Sequence, residues 1–151
     1  MTKTERHAAS NGWFDGHTHV LPVRVYYEDT DFSGVVYHAK YLHFLERGRS
    51  EFLRAADVRH QGMLKTEEPL VWVVRHMTID YLKPARVDDE IEVRSIPREL
   101  TGARLAIAQG VWRKSEQLVK ADVEACVITL DGKPHRIPES LRKKLEIFLK
   151  P

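Results

Sequence analysis

A chain of 151 residues has the size of a single domain. Hydrophobic residues make up 42% of it and charged residues 30%, a balance that excludes an intrinsically disordered chain. The formal net charge of +2 is too small to indicate a nucleic-acid-binding protein, so no nucleic-acid partner is expected.

The first part of the chain predicts an arm, a strand and a loop. Residues 1–16 predict a mobile N-terminal arm, which leaves residues 17–151 as one domain. In residues 20–27, apolar side chains alternate with polar ones, and this alternation predicts a first strand. Pro22 indicates that the strand lies at a sheet edge or begins near this residue. Residues 28–34 predict a loop.

A long amphipathic helix is predicted over residues 36–56. Small or apolar residues recur there at spacings of three and four, which places them on one helix face. These residues are Tyr41, Leu45, Gly48, Phe52 and Ala56. A glycine inside a helix costs about 1 kcal/mol relative to alanine. We therefore expect the helix to approach a sheet closely at Gly48.

The rest of the chain predicts four strands and a short helix. The strands are expected at residues 71–82, 90–96, 104–113 and 119–130, joined by short turns. Residues 138–149 predict a terminal helix, with Pro138 suited to its first turn. The order of elements indicates an α+β domain in which one long helix packs on a five-stranded antiparallel sheet.

Several features concern the location of the protein. No apolar run approaches the ~20 residues of a membrane span, so no transmembrane segment is expected. Residues 1–11 are polar and lack the apolar core of a secretory signal. Cys126 is the only cysteine, which excludes an intrachain disulfide and predicts a buried thiol in a reducing compartment. We expect a cytoplasmic protein.

The densest set of reactive groups lies in residues 27–38, between the first strand and the long helix. Backbone N–H groups at a helix start lack partners within the helix. Acyl transfer needs a carboxylate base or nucleophile beside donors that can hold an oxyanion. Asp31 is the first candidate for this carboxylate, although aspartate is also common as a structural residue before a helix.

A metal site is the main chemical alternative. The side chains that could supply ligands are His17, His19, Asp29, Asp31 and His38. No pair of them has the i, i+4 helical spacing of a zinc motif, so we predict no metal. A serine nucleophile is disfavoured, because Ser33 and Ser50 lie outside any G-x-S-x-G turn.

Residues 27–38, with Tyr41-Leu42 and Glu46-Arg47, resemble the N-terminal motif of the 4-hydroxybenzoyl-CoA thioesterase family, and most closely its YbgC branch. A second similar block is residues 77–89. The resemblance extends from about Trp13 to Leu130 and implies a hotdog fold, in which an antiparallel sheet wraps one long helix. The chain departs from the family at Phe32-Ser33, where small residues are commoner.

The resemblance also implies roles for individual residues. Asp31 falls on the family's catalytic aspartate and His38 on its active-site histidine, while the Tyr27 phenol could position this pair. Asp29 and Thr30 are expected to shape the loop. Gly34 would let the backbone approach a ligand closely. The N–H groups expected to face the thioester oxygen are those of Val35, Val36, Tyr37 and His38.

Further implications concern partners. The family forms dimers whose sheets join edge to edge, often pairing into tetramers, with active sites at the dimer interface. Residues 71–75, including Val73 and Val74, would then lie near the partner's site. Basic residues at strand ends could meet the phosphates of coenzyme A or the arm of an acyl carrier protein. They are Lys83, Arg86, Arg104, Arg113 and Lys114.

The sequence therefore predicts a hydrolase that cleaves an acyl-CoA or acyl carrier protein thioester without a cofactor. Asp31 could act as general base or as nucleophile. Two alternatives remain. One is a non-catalytic hotdog module that binds an acyl thioester or a cell-envelope partner. The other is a dehydratase of the same fold.

Overall fold

The computed structural model describes residues 11–149. These residues form six strands, three α-helices and one 3-10 turn. The strands are β1 (Trp13–Asp15), β2 (Thr18–Arg24), β3 (Leu70–Tyr81), β4 (Glu90–Thr101), β5 (Arg104–Arg113) and β6 (Glu116–Thr129). The α-helices are α1 (Lys40–Ala55), α2 (His60–Leu64) and α3 (Glu139–Glu146), and the 3-10 turn is Tyr27–Asp29.

The six strands form one antiparallel sheet in the order β1-β2-β4-β5-β6-β3. Helix α1 packs on the sheet against β2, β4 and β5. Strand β3 closes one end of the sheet and pairs only with β6 within residues 11–149. This arrangement confirms the predicted α+β class, with one long helix on an antiparallel sheet and a short C-terminal helix.

Helix α1 buries the face that its sequence pattern predicts. Tyr41, Leu45 and Phe52 are each no more than 3% exposed. At Gly48 a β-carbon would lie 2.5 Å from Val93 Cγ1 on β4, which is much closer than two carbon atoms can approach. The absence of a side chain at Gly48 thus permits the close contact between helix and sheet that the sequence predicts.

The strand count is the first correction to the prediction. The sheet has six strands rather than five, because Trp13–Asp15 pairs with β2 inside the segment expected to be a mobile arm. Phe14 fixes this strand by stacking on Phe148 at 4.2 Å between ring centroids and by an edge contact with Phe52. The arm prediction is wrong for residues 13–15, and residues 1–10 lie outside the described part of the chain.

Several other element boundaries also differ from the prediction. Strand β2 ends at Arg24 rather than residue 27, and α1 starts at Lys40 rather than residue 36. Helix α2 lies where only a turn was predicted. Strand β4 continues past Pro97, where a register shift interrupts its ladder with β5. Its other neighbour β2 pairs no further than Ser95, so the missing N–H of Pro97 leaves no gap on that side.

Candidate active site

Asp29 organises the loop that precedes α1. Its carboxylate is buried, and Oδ2 accepts a hydrogen bond from the Tyr26 N–H over 2.8 Å. The other oxygen pairs with Lys40 Nζ at 3.2 Å, which ties the loop to the first turn of the helix. The Thr30 hydroxyl donates to the Tyr27 carbonyl over 2.7 Å. The prediction that Asp29 and Thr30 shape this loop is confirmed.

Asp31 lies two residues after this buried carboxylate and is partly exposed. Its Oδ1 accepts hydrogen bonds from the Ser33 hydroxyl over 2.5 Å and from the Ser33 N–H over 2.8 Å. The hydroxyl bond, followed by the N–H bond, lowers the pKa of Asp31 below its usual value, against a smaller opposing effect of burial. The nearby N–H of Val35 lowers this pKa further. Asp31 is therefore ionised at neutral pH, as a base or nucleophile requires.

Of the four main-chain N–H groups expected to face a ligand, two donate hydrogen bonds to carbonyl groups of the chain instead. Val36 N–H donates to the Ala85 carbonyl over 2.9 Å, and Tyr37 N–H donates to the Asp29 carbonyl over 3.0 Å. The prediction that both groups point at a thioester oxygen is wrong. The His38 N–H donates to no acceptor within residues 11–149, so it remains available to a ligand.

His38 lies at the mouth of a cavity of 240 Å³ between the start of α1 and the end of β3. The Tyr81 phenol donates a hydrogen bond to the His38 carbonyl over 3.0 Å. The Tyr41 hydroxyl accepts one from the Ala85 N–H over 2.9 Å. The Tyr37 ring lies 4.6 Å from the imidazole, between centroids. Aromatic side chains therefore line two sides of His38.

The single chain does not join the three predicted catalytic side chains by hydrogen bonds. Tyr27 is 85% exposed, and within the described ranges its phenol contacts neither Asp31 nor His38 by a hydrogen bond. Phe32, at the tip of the Asp31 loop, is fully exposed. The Phe32 ring is an exposed apolar surface next to the ionised Asp31 carboxylate, and a ligand or a partner can cover it.

A second cavity of 320 Å³ lies between α1 and the edge strand β3. Val73 and Val74 line it from the strand, and both side chains are exposed. Ser50 and His60 line it from the helical side, where the Ser50 hydroxyl and His60 Nε2 lie 3.3 Å apart. The two cavities thus occupy the same side of α1, one at its start and one near its middle.

Most of the predicted phosphate-binding cations have partners in the chain. Lys83 pairs with Glu116 at 2.8 Å, and Arg104 with Glu124 at 3.0 Å. Arg113 bonds both Asp89 and Glu116. Hydrogen bonds from Lys83 and then from Arg113 lower the pKa of Glu116. Arg86 and Lys114 make no ion pair with any of residues 11–149.

Similarity to known proteins defines the family. Residues 33–120 match the Thioesterase superfamily, a span of more than half the chain. The chain is 44% identical over 123 residues to "Acyl-CoA thioesterase YbgC" of Haemophilus influenzae, covering 81% of this chain and 90% of that protein. This protein belongs to the thioesterase superfamily.

Two further relatives support this placement within the thioesterase superfamily. "Acyl-CoA thioester hydrolase YbgC" of Escherichia coli O6:H1 is 42% identical over 122 residues, covering 80% of this chain and 90% of that protein. The crystal structure of a probable thioesterase from Bartonella henselae is 44% identical, with a TM-score of 0.78. It covers 80% of this chain and 99% of that one. The predicted thioesterase fold is confirmed.

Two of the three histidines of the metal alternative, His17 and His19, lie apart from the loop that carries Asp31 and His38. His17 Nδ1 contacts the Phe148 carbonyl at 2.7 Å, and His19 is completely buried beside Phe14. No group of three histidine, cysteine or acidic side chains within residues 11–149 could hold a metal ion. None of the helices in this part of the chain is long and apolar enough to cross a membrane.

Tyr41 and Tyr81 are the site residues whose contacts the sequence did not reveal. Tyr41 is predicted as part of the buried helix face and of the family motif, and Tyr81 only as part of the second family block. Tyr81 bonds His38 and Tyr41 bonds Ala85, and each bond spans more than 40 residues of chain. Tyr41 on an otherwise apolar helix face is the available signal, because a buried phenol needs a hydrogen-bond partner.

Proposed function

We propose that this thioesterase hydrolyses acyl-CoA thioesters, with Asp31 as the essential carboxylate. The observation that carries this proposal is the pair of Ser33 hydrogen bonds that fix Asp31 and keep it ionised beside the start of α1. The two YbgC relatives named above, at 42% and 44% identity, support the same reaction.

Two routes to hydrolysis are open to Asp31. As a general base, it takes a proton from water, and the resulting hydroxide adds to the thioester carbon. As a nucleophile, it forms a mixed anhydride that water then hydrolyses. In both routes the carbon–sulfur bond breaks, and the coenzyme A thiolate leaves and takes up a proton. Single-turnover hydrolysis in labelled water separates them, since only the anhydride route labels the Asp31 carboxylate.

The carbonyl oxygen becomes negatively charged in either route and needs a hydrogen-bond donor. We assign the His38 N–H to this role, because it has no other acceptor among residues 11–149 and lies two residues before the first residue of α1. The His38 imidazole orients water or the substrate carbonyl. Gly34, Val35, Val36 and Tyr37 form the backbone around the thioester, and Tyr27 supports Asp31 and His38 once the site is closed.

We infer a homodimer that completes the site, and a homotetramer formed by two such dimers. The support for the dimer is β3, an exposed edge strand of 12 residues. The main-chain N–H and C=O groups on its outer side pair with no strand among residues 11–149. Pairing of two β3 strands would bring Val73 and Val74 of each subunit towards the other subunit's Asp31 loop. Such pairing would also cover the open sides of both cavities.

The carrier of the acyl group is coenzyme A, with an acyl carrier protein as the alternative. Arg86 is the best-placed phosphate ligand, because it neighbours the Asp31 loop through the Val35 bridge and has no ion-pair partner among residues 11–149. Lys83 can contribute if it releases Glu116. We place the reaction in the cytoplasm, which agrees with a single unpaired cysteine.

The test is a panel of acyl-CoA and acyl carrier protein thioesters of increasing chain length, followed by release of free thiol. Hydrolysis of at least one acyl-CoA by the wild-type protein supports the proposal. The non-catalytic module predicts a different result, in which acyl-CoA binds, as measured by calorimetry, but no thiol is released.

A further inference from the structure

Ser33 donates two hydrogen bonds to the Asp31 carboxylate, and the nearby Val35 N–H has a smaller effect on the same group. The hydroxyl and the N–H of Ser33 both donate to Oδ1, over 2.5 Å and 2.8 Å. Oδ2 accepts no hydrogen bond from residues 11–149. The carboxylate is therefore held by one oxygen and open at the other.

The main chain on both sides of this contact is also fixed. Asp31 N–H donates to the Val35 carbonyl over 2.9 Å, and the Asp31 carbonyl accepts from the Gly34 N–H over 3.2 Å. Gly34 has a φ of 84°, a left-handed conformation that glycine adopts without strain. With the backbone fixed, the Ser33 bonds select the orientation of the Asp31 side chain.

We propose that Ser33 is a positioning residue for the reaction. It ties Asp31 Oδ1 and leaves Oδ2 as the oxygen that acts on water or on the thioester carbon. The inference rests on the proposed function, in which Asp31 is the essential carboxylate.

The contact with Ser33 also lowers the pKa of Asp31. Its pKa is lowered first by the Ser33 hydroxyl and next by the Ser33 N–H. The lowering arises from hydrogen bonds rather than from neighbouring charges. The titratable side chains on the elements packed against this loop are Glu28, Asp29, His38, Lys40, Arg86, Asp88 and Asp89. Loss of the hydroxyl therefore raises the pKa of Asp31, and the carboxylate becomes protonated at a higher pH.

The direct test is Ser33→Ala, which removes the hydroxyl and keeps the N–H. We expect kcat/KM to fall about tenfold, as for loss of one hydrogen bond to a charged group, with most of the change in kcat. The acidic limb of the pH profile should move to higher pH. Ser33→Thr keeps a hydroxyl and should restore both properties.

Thr30→Ala is the matched control, because Thr30 is a hydroxyl in the same loop that bonds the Tyr27 carbonyl instead of Asp31. The acidic limb of the pH profile of kcat/KM for Thr30→Ala should stay at the wild-type position. A shift equal to that of Ser33→Ala would mean that the loop as a whole sets the pH dependence, and this result would overturn the role of Ser33.

A second measurement does not depend on turnover. Carbon-13 NMR titration of the Asp31 carboxyl should give a higher pKa in Ser33→Ala than in the wild-type protein. An unchanged titration and acidic limb, with Asp31→Asn inactive, would overturn the role of Ser33 and leave the proposed function intact. A fully active Asp31→Asn would instead overturn both, because no carboxylate would need positioning.

Discussion

The Tyr81 phenol donates a hydrogen bond of 3.0 Å to the carbonyl of His38. This contact joins the last residue of the edge strand β3 to a residue two positions before the start of α1. It fixes the peptide group that follows His38, next to the N–H proposed as the oxyanion donor, from a strand that belongs to the predicted dimer interface. The proposed dimer interface would therefore be linked to the proposed oxyanion donor through Tyr81.

Tyr81→Phe should lower kcat several-fold and change the thermal midpoint little. The lost bond lies at the exposed start of α1, and a hydrogen bond of this kind contributes about 1 kcal/mol. Tyr41→Phe is the contrasting variant, since it leaves a buried Ala85 N–H without an acceptor and should cost about 1–3 kcal/mol of stability. Steady-state kinetics and thermal unfolding of both variants check this. Equal kcat values for Tyr81→Phe and wild type would show that the contact has no role in turnover.

Gly48→Ala should destabilise the protein, by up to about 2 kcal/mol. The gain in helix propensity is about 1 kcal/mol, but the new β-carbon would meet Val93 at 2.5 Å, and overpacking of a core costs about 1–3 kcal/mol. Gly62→Ala is the matched control in α2, where a β-carbon meets nothing within 4 Å, and it should be neutral or stabilising. Denaturant unfolding of the two variants decides the matter. A stabilised Gly48→Ala would contradict the close contact of helix and sheet.

Stability should fall as the pH drops below about 6.5, in part because of His19. Burial lowers the pKa of His19, and the nearby Asn11 main chain and the Glu51 charge oppose this only in part. The unfolded chain then binds a proton at a pH where the folded chain does not, so acid favours unfolding. His19→Leu should reduce the pH dependence between pH 7 and 5. If the free energy of unfolding of His19→Leu changed with pH as that of the wild type does, His19 would have no part in the loss of stability.

The oligomer should depend on the edge of β3. Val74→Lys places a charge on this edge and should shift the protein towards a monomer with reduced activity. Leu130→Lys adds the same charge at an exposed position beyond β6 and should leave the assembly unchanged. Light scattering coupled to size exclusion measures both. A wild-type protein that is monomeric at micromolar concentration would rule out an interface-built site.

Periodicity was sufficient to predict the main elements of the fold. The stripe on α1 and the alternation along β3 to β6 each depend on neighbours in sequence. Strand β1 could not be found this way, because it is fixed by Phe14 packing on Phe148 at the other end of the chain. The start of α1 was misplaced for a similar reason. Val36 N–H bonds Ala85, 49 residues away, instead of entering a helix.

In the candidate site, too, the sequence predicts what depends on neighbouring residues and misses contacts that depend on the folded chain. Asp31 and His38 were identified because the motif that carries them is contiguous in sequence. The hydrogen bonds of Ser33 to Asp31 and of Tyr81 to His38 depend on loop geometry, which sequence spacing does not specify. The pairing of Lys83 and Arg113 with Glu116 likewise required the folded strand ends to be seen together.

The role of Asp31 is the central claim, and the kinetics of Asp31→Asn test it most directly. His38→Ala is the variant for comparison. It keeps the main-chain N–H and should lower kcat by about one to three orders of magnitude. Asp122→Asn, an exposed substitution of the same kind on β6, should behave as wild type. We predict that Asp31→Asn retains the wild-type thermal midpoint and loses nearly all acyl-CoA hydrolysis, more than His38→Ala does. A folded Asp31→Asn protein with near wild-type kcat would contradict the account.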